Sequence, residues 1–139
     1  MRIAINGTGR IGRQVLRIAL EKKLNVVAVN NTSGPESLAY LLKYDSVYGN
    51  YNKKIKVGKN FLKIDNKKIL IFTERDPENL PWEKLKVNTV VEATGIFKDK
   101  ESASKHLKAG AKRVILTAPS EDADITVVLG INENKIKKS

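Results

Sequence analysis

Residues 3–12 read Ile-Ala-Ile-Asn-Gly-Thr-Gly-Arg-Ile-Gly, and this stretch decides the fold. A short apolar strand leads directly into a Gly-x-Gly-x-x-Gly turn, after which apolar residues recur near helical spacing, at Ile11, Val15, Ile18 and Leu20. In such a turn Gly7 allows a tight exit from the strand, Gly9 lets a pyrophosphate approach the backbone, and Gly12 lets the helix lie close to the sheet. The helix would then point free N–H groups and its positive dipole end at the phosphates. The pattern predicts a dinucleotide-binding turn; the alternative is a glycine-rich turn that binds nothing.

Length and composition describe a single folded domain over residues 1–139. The chain is 41% hydrophobic and 29% charged, which is typical of a globular domain with its own core. It has no apolar run of 18 residues, so no membrane span is expected, and the absence of a signal peptide pattern after Met1 predicts a cytoplasmic location. With no cysteine and one histidine, His106, no metal site is expected.

The formal net charge of +11 raises the question of a polyanionic partner. The densest lysine patch, residues 53–68, alternates with apolar residues as a strand does. We therefore interpret it as a solvated sheet face, and nucleic acid is not the expected partner.

The remaining chain alternates strand and helix patterns. The predicted strands cover residues 2–6, 25–30, 89–92, 113–117 and 125–129, and the predicted helices cover residues 10–22, a segment beginning at Pro35, and residues 100–109. Three short alternating segments, 53–57, 61–64 and 68–72, are predicted to be antiparallel hairpin strands. Asp76 and Asp99 are expected to cap a single turn and a helix, Gly110 to end that helix, and Trp82 to anchor packing.

This order predicts an α/β fold: a doubly wound, Rossmann-type, mostly parallel sheet with helices on both faces and a small antiparallel hairpin extension. Ligands of such sheets bind at the carboxyl ends of the strands. Those ends carry small or polar residues, namely Asn6-Gly7, Asn30-Asn31, Glu92-Ala93-Thr94-Gly95 and Thr117-Ala118-Pro119.

Several segments together resemble one family, glyceraldehyde-3-phosphate dehydrogenase, in the order expected of its N-terminal half. They are residues 6–13 (Asn-Gly-Thr-Gly-Arg-Ile-Gly-Arg), 42–47 (Leu-Lys-Tyr-Asp-Ser-Val), 75–82 (Arg-Asp-Pro-Glu-Asn-Leu-Pro-Trp), 91–97 (Val-Glu-Ala-Thr-Gly-Ile-Phe) and 105–112 (Lys-His-Leu-Lys-Ala-Gly-Ala-Lys). The resemblance covers essentially the whole chain. It implies a cofactor domain followed by a catalytic domain in a homotetrameric enzyme of central carbon metabolism, with NAD or NADP as cofactor.

The family reaction oxidises an aldehyde through a thiohemiacetal on cysteine, transfers a hydride to the nicotinamide and ends in phosphorolysis. The resemblance places that cysteine, in a Ser-Cys-Thr-Thr-Asn segment, and its partner histidine beyond the cofactor domain. Because the 139 residues hold no cysteine, no catalytic residue is assigned here and the chain alone is expected to be inactive. His106 lies on a lysine-rich helix and is expected to be a solvated surface residue.

Motif match assigns the cofactor contacts. Arg10 and Ile11 are expected at the pyrophosphate through their N–H groups, Arg75 on the adenine side, and Thr94, Gly95 and Thr117 on the ribose and nicotinamide side. The full candidate set is Asn6, Gly7, Gly9, Arg10, Ile11, Gly12, Asn31, Thr32, Arg75, Thr94, Gly95 and Thr117. The alternatives are strand-end capping for the two threonines, and an ion pair with Asp76 or Glu78 for Arg75.

Two residues depart from the family pattern. Thr8 stands where phenylalanine is usual, which is expected to alter packing more than phosphate contact. Asn31 stands where an aspartate normally binds the adenosine ribose, and an amide does not repel a 2′-phosphate. Thr32 and Ser33 follow as possible donors, so NADP or dual use is favoured. The alternative is that Asn31 merely ends the strand and caps the turn while NAD binds through other contacts.

Three other interpretations remain open. Erythrose-4-phosphate dehydrogenase shares this half. The second is a stand-alone nucleotide-binding module with adenine-rich RNA as ligand, whose supporting feature is the basic charge. A truncated chain with a purely structural role in an oligomer is the third.

Overall fold

The computed structural model describes residues 1–136, which contain seven strands and three α-helices. The strands are β1 (Ile3–Asn6), β2 (Val26–Asn30), β3 (Ile55–Gly58), β4 (Phe61–Ile64), β5 (Lys67–Phe72), β6 (Thr89–Glu92) and β7 (Arg113–Leu116). The α-helices are α1 (Gly12–Glu21), α2 (Gly34–Lys43) and α3 (Lys100–Lys108), and short 3-10 turns cover Pro77–Asn79 and Glu133–Lys135. None of these helices is long and apolar enough to cross a membrane.

The strands form one sheet in the order β3-β4-β5-β2-β1-β6-β7. Five neighbouring strands, β5, β2, β1, β6 and β7, run parallel to one another. Strands β3, β4 and β5 pair antiparallel, so β5 joins the hairpin extension to the parallel sheet. The predicted fold class is confirmed. In the parallel register, Asn6 of β1 lies between Asn30 of β2 and Glu92 of β6.

Apolar side chains fill both faces of the sheet because successive strand residues point to opposite sides. Ile5 of β1 packs with α1 and α2 in one core, and its neighbour Ala4 packs with Trp82 in the other. Trp82 is fully buried, as predicted for a packing anchor.

The predicted caps are confirmed. The Asp99 carboxylate accepts from the Ser102 N–H at 2.8 Å, and the Asp76 carboxylate accepts from the Glu78 N–H at 3.2 Å. Gly110 follows α3 in the left-handed region at φ +100°, where a Cβ would lie 2.4 Å from Cβ of Glu83. On the hairpin extension, Lys56, Lys63 and Lys68 lie directly opposite one another on exposed positions, as expected of a solvated sheet face.

One expected strand is absent. Residues 125–129 form no strand: residues 125–128 are irregular and a turn begins at residue 129, and the side chain of Asn132 donates to the Thr126 carbonyl and accepts from the Val128 N–H. Helix α1 buries Leu16 and Ala19, whereas Ile11 and Ile18 are about half exposed, at 55% and 50%. The apolar positions of this segment lie on more than one side of the helix, so their spacing did not single out the packed face.

Candidate dinucleotide-binding site

A cleft of about 570 Å³ opens at the carboxyl edge of the sheet, above the ends of β1, β2 and β6. Its walls are residues 7–9 of the glycine turn, the turn after β2, the segment after β5 and the loop after β6. The lining residues are Asn6, Gly7, Thr8, Gly9, Asn30, Asn31, Thr32, Ser33, Glu74, Arg75, Ala93, Thr94, Ile96 and Phe97.

The three motif glycines serve different purposes. Gly7 has φ +88°, and a Cβ there would lie 2.7 Å from the Thr94 nitrogen. A Cβ on Gly12 would lie 1.9 Å from the Gly7 carbonyl oxygen, so both positions are closed to side chains by the fold itself. Gly9 differs, because a Cβ there would meet no protein atom within 4 Å and the residue lines the cleft. The space beside Gly9 is therefore available for a ligand to approach the backbone, as the sequence predicts.

Helix α1 begins at the last glycine of the turn and has no side-chain cap at its N-terminus. Its N-cap residue Ile11 makes no side-chain capping bond, and the first turn holds no acidic residue. Arg10 and Ile11 are exposed, and within residues 1–136 no acceptor receives their backbone N–H groups. Free donors at a positive helix end favour an anion such as a pyrophosphate.

A buried row of polar side chains lies under the cleft. The Asn30 amide donates to the Asn6 side-chain oxygen at 2.7 Å, and the Asn6 amide donates to Glu92 Oε2 at 2.5 Å. Glu92 Oε1 accepts from both the backbone N–H and the hydroxyl of Thr94. Asn6 is only 1% exposed, so its side chain supports the floor of the cleft and leaves ligand contact to its neighbours.

His106 was expected to be a solvated surface residue, and this was wrong: its side chain is fully buried. Nδ1 accepts from the indole N–H of Trp82 at 3.0 Å, and Nε2 lies 2.9 Å from Glu92 Oε2. Because an indole N–H only donates, Nδ1 carries no proton, and Nε2–H therefore donates to Glu92. The ring is neutral in this arrangement, and its 3.3 Å approach to the Asn6 amide is a contact between two donors.

A signal for this burial was present in the sequence. Ala103, His106 and Ala109 recur every three residues, and all three are buried on the sheet side of α3 and its C-cap. The expectation of a surface histidine rested on the lysines of α3, which are exposed or half-buried.

The carboxylate of Glu92 has opposing influences on its pKa. Burial by itself raises the pKa, but the hydrogen bonds from His106, Thr94 and Asn6 outweigh it and hold the pKa below its usual value. Glu92 is thus a buried, ionised carboxylate, and both of its oxygens accept hydrogen bonds from protein donors.

The predicted contacts divide into two groups. Asn6, Gly7, Gly9, Asn31, Thr32, Arg75 and Thr94 line the cleft, whereas Arg10, Ile11, Gly12, Gly95 and Thr117 lie outside its lining. The Thr94 hydroxyl donates to Glu92, and the Thr117 hydroxyl donates to the Glu92 carbonyl at 3.0 Å, which is the strand-end role held as the alternative. Sequence reasoning missed Ile96 and Phe97, two apolar residues of the cleft wall.

Arg75 and Asn31 also have defined surroundings. Asp76 pairs with Lys105 and Glu78 with Lys108, so neither acid takes up Arg75 as its partner. The Asn31 amide donates to the Gly34 carbonyl at 3.0 Å and its oxygen accepts from the Ser33 N–H at 3.2 Å. Asn31 therefore caps its own turn.

A second buried carboxylate holds α1 in place, and sequence reasoning missed it. Asp45 accepts from Arg13 at 2.9 Å, from Gln14 at 2.8 Å, and from the backbone N–H groups of Val47 and Tyr48. The backbone bonds from Tyr48 and Val47, followed by the bond and charge of Arg13, lower the pKa of Asp45 from 3.8 to about 2. The clamp ties the first turn of α1 to the loop after α2.

The glycine turn, the uncapped helix and the cleft at the carboxyl edge of a doubly wound sheet define a dinucleotide-binding domain of Rossmann type. A sequence model described as glyceraldehyde 3-phosphate dehydrogenase, NAD binding domain, matches residues 1–100. The chain belongs to the glyceraldehyde-3-phosphate dehydrogenase family and carries its NAD-binding domain.

Individual relatives agree with this assignment. Glyceraldehyde-3-phosphate dehydrogenase of Thermotoga maritima is 50% identical over 98% of this chain and 42% of its own length. Glyceraldehyde-3-phosphate dehydrogenase 2 of Bacillus subtilis is 47% identical, over 97% of this chain and 40% of its own. Glyceraldehyde-3-phosphate dehydrogenase of Mycoplasma pneumoniae is 51% identical over 98% of this chain and 41% of its own length. The chain thus spans about two-fifths of the length of the curated relatives it matches.

Proposed function

We propose that this chain supplies the cofactor-binding half of a phosphorylating glyceraldehyde-3-phosphate dehydrogenase. One observation carries the proposal: the space beside Gly9 is open, and within residues 1–136 no acceptor receives the N–H groups of the next two residues, Arg10 and Ile11. The relatives are named for glyceraldehyde 3-phosphate, which favours this substrate over erythrose 4-phosphate. A homotetrameric assembly and a cytoplasmic location complete the proposal, and both rest on family membership.

The bound cofactor supplies the hydride acceptor of the reaction. We assign the pyrophosphate to Gly9 and to the N–H groups of Arg10 and Ile11, and the adenine side to Arg75. Asn31 and Thr32 lie on the adenosine ribose side, and Thr94, Gly95 and Thr117 on the nicotinamide side. Beneath them, Asn6, Gly7 and Gly12 shape the turn, so the chain binds and orients the cofactor.

The chemical step requires groups outside residues 1–139. The 139 residues contain no cysteine to serve as nucleophile. His106 is unsuited to be its base, since both ring nitrogens are engaged by Trp82 and Glu92. We therefore propose that the nucleophile and its base belong to a catalytic domain carried by the remainder of the enzyme.

NADP use alongside NAD is a further part of the proposal. The residue facing the adenosine ribose side is the neutral Asn31, with the hydroxyls of Thr32 and Ser33 and the cation of Arg75 nearby on the cleft wall. Glu74 also lines the cleft, but its carboxylate accepts from the backbone N–H groups of Arg75 and Asp76. These surroundings would tolerate a 2′-phosphate better than the usual aspartate.

Calorimetry and a turnover assay test the proposal on the same preparation. We expect NAD to bind with a stoichiometry of about one per chain, and glyceraldehyde 3-phosphate, phosphate and NAD to give no NADH above background. Robust turnover would contradict the placement of the catalytic groups. Failure to bind NAD, together with salt-sensitive binding of adenine-rich RNA, would favour the stand-alone module.

A further inference from the structure

Glu92 connects the two loops that border the cleft. Oε2 accepts from Asn6, the residue that leads into the glycine turn, and Oε1 accepts from the backbone N–H and hydroxyl of Thr94 in the loop after β6. The two loops are in close contact, because a Cβ on Gly7 would lie within 2.8 Å of the Thr94 side chain. The orientation of one carboxylate therefore sets how these loops sit against each other.

His106 and Trp82 hold that carboxylate from the side away from the cleft. Neither residue lines the cleft, and both are fully buried. The indole N–H of Trp82 occupies Nδ1 of His106, so the proton on the other ring nitrogen is directed to Glu92 Oε2. The indole thereby selects the tautomer that donates to Glu92.

We propose that His106 and Trp82 are positioning residues for cofactor binding, which fix the Glu92 carboxylate and through it the Asn6–Gly7 turn and the Thr94–Gly95 loop. This inference rests on the proposed NAD site. Neither residue touches the cofactor, and their effect passes through a carboxylate shared by β6 and both loops. Loss of the His106 donor would leave Oε2 with the Asn6 amide alone, so the carboxylate of Glu92 would be held less firmly against the Asn6–Gly7 turn.

Two substitutions of His106 separate the donor from the bulk of the ring. His106→Gln retains an N–H donor near the position of Nε2, whereas His106→Leu fills the site without a donor. We expect His106→Leu to weaken NAD binding about tenfold, the effect of one lost buried hydrogen bond, and His106→Gln to stay within about threefold of the wild type. Affinities are measured by calorimetry on the full chain, well below each variant's unfolding midpoint.

A matched control distinguishes positioning from general loss of stability. Leu62 is fully buried in the core on the opposite face of the sheet and does not line the cleft. Leu62→Ala should lower the unfolding midpoint at least as much as His106→Leu and leave the NAD affinity within about twofold. If it weakens NAD binding as much as His106→Leu does, the positioning role is refuted.

The tautomer provides a readout that does not depend on NAD. His106 is the only histidine and Trp82 the only tryptophan, so ¹⁵N NMR of the imidazole and indole is free of overlap. We expect a protonated Nε2 and an unprotonated Nδ1 in the wild type, and a population of the other tautomer in Trp82→Phe. A wild-type ring protonated at Nδ1, or a His106→Leu variant with unchanged NAD affinity, would overturn the inference. A wild type that shows the expected tautomer but binds no NAD would overturn the proposed function, and the positioning role with it.

Discussion

Replacement of Gly9 by valine should remove cofactor binding and leave the fold intact. Gly9 lies outside the left-handed region, and its Cβ would meet no protein atom within 4 Å. A Cβ there meets no protein atom, so we expect the free energy of unfolding to change by less than about 1 kcal/mol. The added methyl groups instead occupy the space through which a pyrophosphate reaches the turn.

The loss of affinity follows from the donors at the start of α1. Hydrogen bonds from the N–H groups of Arg10 and Ile11 to phosphate oxygens are lost once the distance between nitrogen and oxygen exceeds about 3.5 Å. Two such bonds to a charged group are worth about 1.5–3 kcal/mol each, so their loss costs about 3–6 kcal/mol. The dissociation constant for NAD should therefore rise by at least about a hundredfold.

The assay pairs calorimetry with NAD and denaturant unfolding of each variant. Gly49→Ala serves as the reciprocal control, because Gly49 has φ +71°, open surroundings and no place in the cleft lining. It should cost about 1 kcal/mol of stability and leave NAD affinity unchanged. Unchanged NAD affinity in Gly9→Val would refute the assigned site. Unfolding of Gly9→Val would refute the claim that the space beside Gly9 is open.

Three further outcomes are expected. Asn31→Asp adds a negative charge on the adenosine ribose side, and its repulsion of a 2′-phosphate is worth about 1–3 kcal/mol. Titrations with both cofactors should therefore show the NADP-to-NAD affinity ratio falling about ten- to a hundredfold. An unchanged ratio would remove the case for NADP use. Asp45 has a depressed pKa, so its contribution to stability is present above pH 3.8 and lost as the pH falls through about 2. Thermal melts should show Asp45→Asn less stable than wild type at neutral pH, and the difference in unfolding midpoint should shrink as the pH falls from 3.8 towards about 2. A difference in midpoint that does not depend on pH would contradict the clamp. Trp82→Phe removes a buried indole and its bond to His106, and denaturant unfolding should show a loss of about 2–4 kcal/mol; a loss below 1 kcal/mol would contradict the anchor.

Local patterns in the sequence determined the architecture and the position of the proposed site. Strand, glycine turn and helix follow one another within residues 3–21, so the βα unit and the proposed anion site next to it depend on neighbouring residues alone. The hairpin extension, the caps at Asp76 and Asp99, and the left-handed Gly110 are likewise local, because each depends on backbone preferences within a few residues.

Only the tertiary structure decided which polar side chains meet one another. Asn6, Glu92 and His106 are separated by 86 and 14 residues along the chain and come together because β1 pairs with β6 and α3 packs on the same sheet. Residues 125–129 have a strand-like pattern but pair with no strand among the described residues, and the side chain of Asn132 bonds to the backbone of Thr126 and Val128 instead. Contacts between residues distant in sequence produce no periodic pattern. The sequence therefore did not indicate that His106 is a buried donor, or that Glu92 accepts hydrogen bonds from residues of both cleft loops.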